Sequence, residues 1–221
     1  MGVIMKRTSP YVLTLFVFIF ASFCLNLTVS SYVSAAEKEY DHLMILGDPH
    51  LPGKNFEGKK QVLENINSSN DVDAVVAVGD ITESCGTTDE YVAAKGFFSK
   101  LKKPLFPITG NHDFIYGDSL NSKGKRNRAS SATRQLKLDR FRETFGLQNI
   151  YYSKEVGRYR LIFLSIDSAG QLAELSQKQL DWLSAELKNN RRQPTIIFCH
   201  APLAGTLRDY NKNANAPNFI I

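Results

Sequence analysis

The stretch LFPITGNHDF, residues 105–114, carries an apolar, strand-like run into Gly110 and then sets Asn111, His112 and Asp113 side by side. A chain that ends a buried strand on an amide, an imidazole and a carboxylate places three chemically active groups at one rim. In open α/β sheets the ligand site lies beyond the carboxyl ends of the strands. The question is whether other strands end in the same way.

Three more do. HLMIL, residues 42–46, runs into GDPHLPG with Asp48 and His50; VDAVVAV, residues 72–78, runs into Gly79 and Asp80; TIIFC, residues 195–199, ends on His200. Between these runs the apolar spacing predicts helices over 58–68, 88–101 and 134–145. Ser176 with Gln179 reads as a capping box for a further helix carrying Leu180, Leu183 and Leu187. The runs IYYSKEV and RYRLIFLSID flank Gly157 and predict a hairpin. Residues 109–133 show no period, which marks a functional or mobile loop. There is no internal repeat and no low-complexity linker. Alternating strands and helices predict an α/β layered fold.

The strand ends suggest metal chemistry. Asp48 and His50 are alternate residues, which in an extended segment point the same way, so one cation can take an oxygen and a nitrogen together. Asp80 offers two oxygens, enough to bridge two cations; Asn111 offers a neutral oxygen and His200 a nitrogen. This mixed set suits Zn²⁺, Mn²⁺ or Fe²⁺ better than Ca²⁺. Two such ions about 3.5–4 Å apart lower the pKa of a bridging water and polarise a phosphoryl oxygen, which suits phosphate ester hydrolysis. His112 need not bind metal: it can protonate the leaving oxygen, with Asp113 orienting the ring. Each element alone has an ordinary reading, since Asp-Pro and Gly-Asp are common turns and a single histidine is often a satisfied core residue. Their ordered recurrence at strand ends argues for the site. His42 begins a strand and is read as structural.

Length and composition set the bounds. At 221 residues and 43% hydrophobic content the chain is one domain, or one domain plus a targeting segment. Lys6 and Arg7, the apolar YVLTLFVFIFASFCLNL and the small residues of VSAAE predict a signal peptide over 1–36, cleaved after Ala35 or Ala36. The alternative is an uncleaved membrane anchor, since this run approaches the ~18 residues that span a bilayer. Either way the remainder, 40–221, is expected in the periplasm or outside the cell, touching a membrane only if the segment stays attached. The net charge of +5 includes Lys6 and Arg7 of the leader and is too mild to argue for nucleic acid. KGKRNRASSATRQLKLDRFR, residues 123–142, holds eight Lys or Arg and one Asp. It reads as a solvated loop and helix face or as a lid that steers an anionic substrate. Cys85 and Cys199 lie beyond the leader and are either a disulfide or two small core residues.

The motifs GDPH, VGD, TGNHD and FCHAP resemble those of the calcineurin-like metallophosphoesterase superfamily from about residue 42 onward. LSIDSAGQLAELSQKQLDWLSAEL, residues 164–187, adds similarity to the branch related to class III cyclic nucleotide phosphodiesterases. The resemblance implies a two-sheet β-sandwich flanked by helices (αββα), a binuclear centre of two divalent metal ions and attack by a metal-activated water on a small phosphate ester. It implies Asp48 and His50 on the first metal, Asp80 bridging, Asn111 and His200 on the second, and His112 as the catalytic non-ligand. The Ser/Thr phosphatase branch fits poorly, because ITESCG follows Asp80. The family's later Gly-His-x-His motif has no counterpart: the four histidines stand at 42, 50, 112 and 200. With the apolar ending NAPNFII, this predicts a domain truncated before its last metal-binding motif. The alternative function is a non-catalytic exported fragment or binding domain without a competent dinuclear site. A nucleotide-dependent oxidoreductase is disfavoured, because no Gly-x-Gly-x-x-Gly turn follows the first strand.

Overall fold

The apolar run Val72–Val78 forms β2, the middle strand of a parallel sheet in the order β1-β2-β3, with β1 at His42–Gly47 and β3 at Leu105–Ile108. Four of its residues in succession, Ala74 to Ala77, are buried, as expected for a strand covered on both faces. In this computed structural model residues 41–168, 174–190 and 192–201 are described. The predicted signal peptide and the closing NAPNFII lie outside them. Among the described residues no helix is long and apolar enough to cross a membrane.

Helices α1 (Phe56–Ser68) and α2 (Thr88–Phe98) make the crossovers between these strands. Helix α2 starts where it does because Thr87 and Glu90 form a reciprocal capping box. It stops at Phe98, short of the predicted residue 101. Helix α3 (Ser131–Thr144) begins earlier than predicted, because the Ser130 hydroxyl caps it by accepting from the Thr133 N–H at 3.2 Å.

A second sheet has the order β6-β7-β8, from Tyr152–Val156, Tyr159–Leu164 and Thr195–Cys199. The first pair is the predicted antiparallel hairpin turning at Gly157. The second is parallel, with α4 (Gln177–Asn189) between its strands in the chain.

The two sheets face each other through Val76, Ile108, Leu161 and Phe163, and the Phe163 ring packs on Phe106, Tyr152 and Phe198. Outside the first sheet, Leu63, Tyr91, Ala94, Phe97, Phe98 and Phe141 close over Ala77. Outside the second, Trp182 and Leu183 cover Ile162 and Leu164. This is the α/β, αββα sandwich.

Three expectations change. Residues 109–133 are not structureless: Asn111–Asp113 is a turn of 3₁₀ helix, and Tyr116–Leu120 (β4) pairs with Arg126–Arg128 (β5) as a hairpin. The local signal was Asn121, whose side-chain oxygen accepts from the N–H groups of Lys123 and Lys125 and shapes the turn at Gly124. The Leu stripe of α4 is only partly inward, with Leu180 and Leu187 37% and 41% exposed. Ser176 caps α4, but the Gln179 amide turns to the Ser165 carbonyl and leaves the box half made. Cys85 and Cys199 are both free thiols.

Candidate metal centre

The first sheet delivers its site residues from tight, non-extended turns. Asp48, His50 and Asp80 have φ of 44°, 42° and 47°, a left-handed conformation that costs a non-glycine residue about 1–3 kcal/mol and persists only where surroundings enforce it. Asp48 and His50 therefore do not share a side by strand alternation, as the sequence suggested; β1 has already ended at Gly47. The enforcing contacts are backbone bonds between the two turns. His50 and Leu51 donate to the Asp80 and Ile81 carbonyls at 2.9 and 2.7 Å, and Glu83 donates back to Leu51 at 3.0 Å.

Asp80 lies at the middle of the cluster, 5% exposed. One of its carboxylate oxygens stands 3.8 Å from Nε2 of His50; the other is 3.5 Å from Nε2 of His200 and accepts the His112 backbone N–H at 2.8 Å. The Asn111 side-chain oxygen is 3.3 Å from the same His200 nitrogen, and an Asp48 oxygen is 3.6 Å from Nδ1 of His200. One ligand atom from each of Asp48, His50 and Asp80 falls within 4.8 Å of the others, a grouping suited to a cation. The five predicted metal-binding residues are thus brought together.

Each histidine is oriented by a backbone carbonyl. Nδ1 of His200 faces the Val78 oxygen at 2.9 Å, and Nδ1 of both His50 and His112 faces the Glu83 oxygen, at 3.2 and 3.1 Å. A carbonyl only accepts, so Nδ1 is the donor toward the backbone in each ring, and Nε2 is the nitrogen that His50 and His200 turn toward Asp80. The His112 and His50 rings meet edge to face at 4.8 Å, and Tyr116 flanks His112 at 5.4 Å.

Asp113 does not orient His112, contrary to the sequence reading. Successive side chains of a 3₁₀ turn point about 120° apart, which sends Asp113 inward, away from the imidazole. Its fully buried carboxylate accepts from the N–H groups of Gly110, Ile81 and Thr82 at 2.7, 3.2 and 2.9 Å and contacts the Thr82 hydroxyl at 3.3 Å. Burial, with the Asp80 charge behind it, pushes this carboxyl up to about 7, against the pull of those N–H donors. Asp113 therefore staples the loop after β2 to the loop after β3.

Sequence reasoning missed two contributions. Glycines 79 and 110 are required by close approach: a Cβ on Gly79 would lie 2.5 Å from the His200 ring, and one on Gly110 would lie 2.3 Å from the Asp80 carboxylate. The Gly-Asp and Gly-Asn pairs held that signal. The Glu83 carbonyl had none, because any residue supplies a backbone oxygen. His42 is structural as expected, bonded through Nδ1 to Asp71 at 2.8 Å. A cleft of about 530 Å³ lined by Leu138, Arg142, Tyr151 and Lys178, among others, includes none of the predicted site residues.

The model of the calcineurin-like phosphoesterase family matches residues 42–220. The chain is 30% identical over 170 residues to glycerophosphodiester phosphodiesterase GpdQ of Enterobacter lignolyticus, covering 71% of this chain and 55% of that protein. It is 28% identical over 190 residues to 3',5'-cyclic adenosine monophosphate phosphodiesterase CpdA of Haemophilus influenzae, covering 80% of this chain and 61% of that one. The match thus spans little more than half the length of these relatives. Among solved structures, the purple acid phosphatase PPD1 of yellow lupin seeds aligns with a TM-score of 0.48 at 16% identity, over 71% of this chain and 29% of the other.

Proposed function

The chain belongs to the calcineurin-like phosphoesterase family, and on that premise we propose that it is an exported, metal-dependent hydrolase of small phosphate esters, phosphodiesters before monoesters. The observation that carries the reading is the assembly of Asp48, His50, Asn111 and His200 around the two oxygens of Asp80. The donor chemistry fits: imidazole nitrogens and hard oxygens make a mixed set for Mn²⁺, Fe²⁺ or Zn²⁺. Asp48 and His50 would hold one ion, Asn111 and His200 the other, with Asp80 shared. Two divalent ions, when bound, supply Lewis-acid polarisation of the phosphoryl oxygen and an acidified water.

The chain's own residues do the rest. The His112 backbone N–H holds the Asp80 carboxylate, so the proton-transfer residue and the shared ligand move as one. His112, at the exposed edge of the cluster, carries the proton at Nε2 when doubly protonated and passes it to the departing oxygen, its Nδ1–H held throughout by the Glu83 carbonyl. The two curated relatives, both phosphodiesterases by name, favour a diester substrate. The test is elemental analysis of the purified chain with hydrolysis of an aryl phosphodiester on the same sample. Two ions per chain and turnover lost on chelation are expected; a metal-free, inactive, folded chain would favour the non-catalytic binding domain instead.

A further inference from the structure

One backbone oxygen serves two rings. The Glu83 carbonyl receives Nδ1 of His50, a proposed metal ligand, and Nδ1 of His112, the proposed acid. These rings come from different strand ends, after β1 and after β3, and the loop after β2 lies between them. The position of that one oxygen therefore decides the tautomer of both.

The loop is held from both sides by charged side chains outside the cluster. Glu90, at the start of α2, accepts from the N–H groups of Ser84, Cys85 and Thr87 at 2.7, 3.3 and 2.9 Å. Burial alone would raise the Glu90 carboxyl, but these donors outweigh it and hold it below the usual carboxylate range. From α3, the Lys137 ammonium, buried to 1% exposure, donates to the Cys85 carbonyl at 2.6 Å and the Tyr116 carbonyl at 2.7 Å and pairs with the Asp118 carboxylate. Arg140 donates to the next carbonyl, Gly86, at 2.6 Å. Gly86 has φ of +70°, and a Cβ there would lie 1.9 Å from the Asp113 backbone carbonyl oxygen, so the loop packs closely against the Asp113 backbone. A lysine that gives up its hydration for loop carbonyls is costly for stability alone. Here it fixes a loop whose Glu83 carbonyl meets two histidines.

We propose that Glu90 and Lys137 are positioning residues that clamp residues 83–86, so that the Glu83 carbonyl holds His50 and His112 together in the Nδ1–H form with Nε2 presented to the site. The roles of those two rings rest on the function proposed above; the clamp itself does not. It couples the two: a disturbance of the loop releases the metal-binding and proton-transferring imidazoles at once, while His200, held by Val78, stays as it is.

The experiment is long-range ¹H–¹⁵N NMR of the histidine rings in the metal-free full chain, for the parent, Lys137→Met and Glu90→Gln, with thermal unfolding of each. The clamp predicts that both variants lose the Nδ1–H preference of His50 and His112 in parallel, with the His200 and His42 signals unchanged, and that metal affinity falls by about 10–100-fold. Glu90→Gln keeps one acceptor oxygen at a half-buried helix start, so it stays folded and readable even if Lys137→Met does not. Folded Glu90→Gln with unchanged His50 and His112 tautomers overturns the proposal, as does a shift in only one ring. Because the rings are read without metal or substrate, a failure of the clamp leaves parent turnover intact. A failure of the proposed function instead appears as a parent chain without turnover whose tautomers still respond.

Discussion

Two neighbouring parts of this molecule are built in opposite ways. The loops after β1, β2 and β3 are cross-linked by backbone bonds, by the Asp113 staple and by buried charge. The β4–β5 hairpin begins only two residues beyond Phe114 and projects into solvent: Leu120 is 60% exposed, and Lys123, Lys125 and Arg128 are exposed too. It is held near its base by the Tyr116 carbonyl on Lys137, by the Ala129 N–H on Ile115 at 2.8 Å and by Arg126 against the Gly117 carbonyl at 3.3 Å. Metal and proton chemistry need sub-ångström placement, which cross-linked turns provide. A charged hairpin that collects or steers an anion needs reach, and its long-range field tolerates motion.

The contrast gives predictions of graded size. The largest is in the rim: His112→Ala lowers kcat by about 10²–10⁴-fold with two ions still bound, checked by kinetics and elemental analysis together. Loss of metal in that variant would make His112 a ligand. Next, Asp113→Ala leaves buried donors from three residues unpaired and costs about 3 kcal/mol, or roughly 6–12 °C in Tm. Were Asp113 instead a partner of the imidazole, activity would fall while Tm held.

Smaller is the Glu90 effect on acid stability. Its folded carboxyl lies below its ordinary value, so the stability it adds is present above the unfolded pKa of about 4.3 and is lost as pH falls through the folded pKa. Urea unfolding at descending pH below that value shows a steeper loss for the parent than for Glu90→Gln. The smallest effect is in the hairpin. Lys123→Ala with Lys125→Ala changes stability by less than about 0.5 kcal/mol. It raises KM for an anionic diester by about two- to fivefold at low salt and not at high salt. An unchanged KM at low salt would remove the hairpin from substrate capture, and a large Tm loss would make it part of the scaffold.

Much of this was legible in residue order. The strand at 72–78 appears where its apolar run predicted, because a strand covered on both faces must be continuously apolar; TIIFC also forms its predicted strand at 195–199, although Ile196 and Ile197 are 39% and 44% exposed. The polar residues at their ends mark the rim for the same reason: each interrupts an apolar run where the sheet stops. The β4–β5 hairpin was not legible, since YGDSL and RNR carry no alternating apolar face and owe their pairing to the Asn121 turn and the Lys137 anchor.

Residue types and their order alone determined the alternation of strands and helices, singled out Asp48, His50, Asp80, Asn111 and His200 as candidate donors, and disfavoured a dinucleotide fold. Only tertiary structure decided how those donors are aimed. Left-handed turns replaced strand alternation at Asp48 and His50, Asp113 turned inward, and the backbone oxygen of Glu83 took the orienting role expected of the Asp113 carboxylate. The reason is that strand periodicity ends with the strand. Beyond it, direction is set by which distant N–H and C=O groups remain to be satisfied, and those come from other parts of the chain.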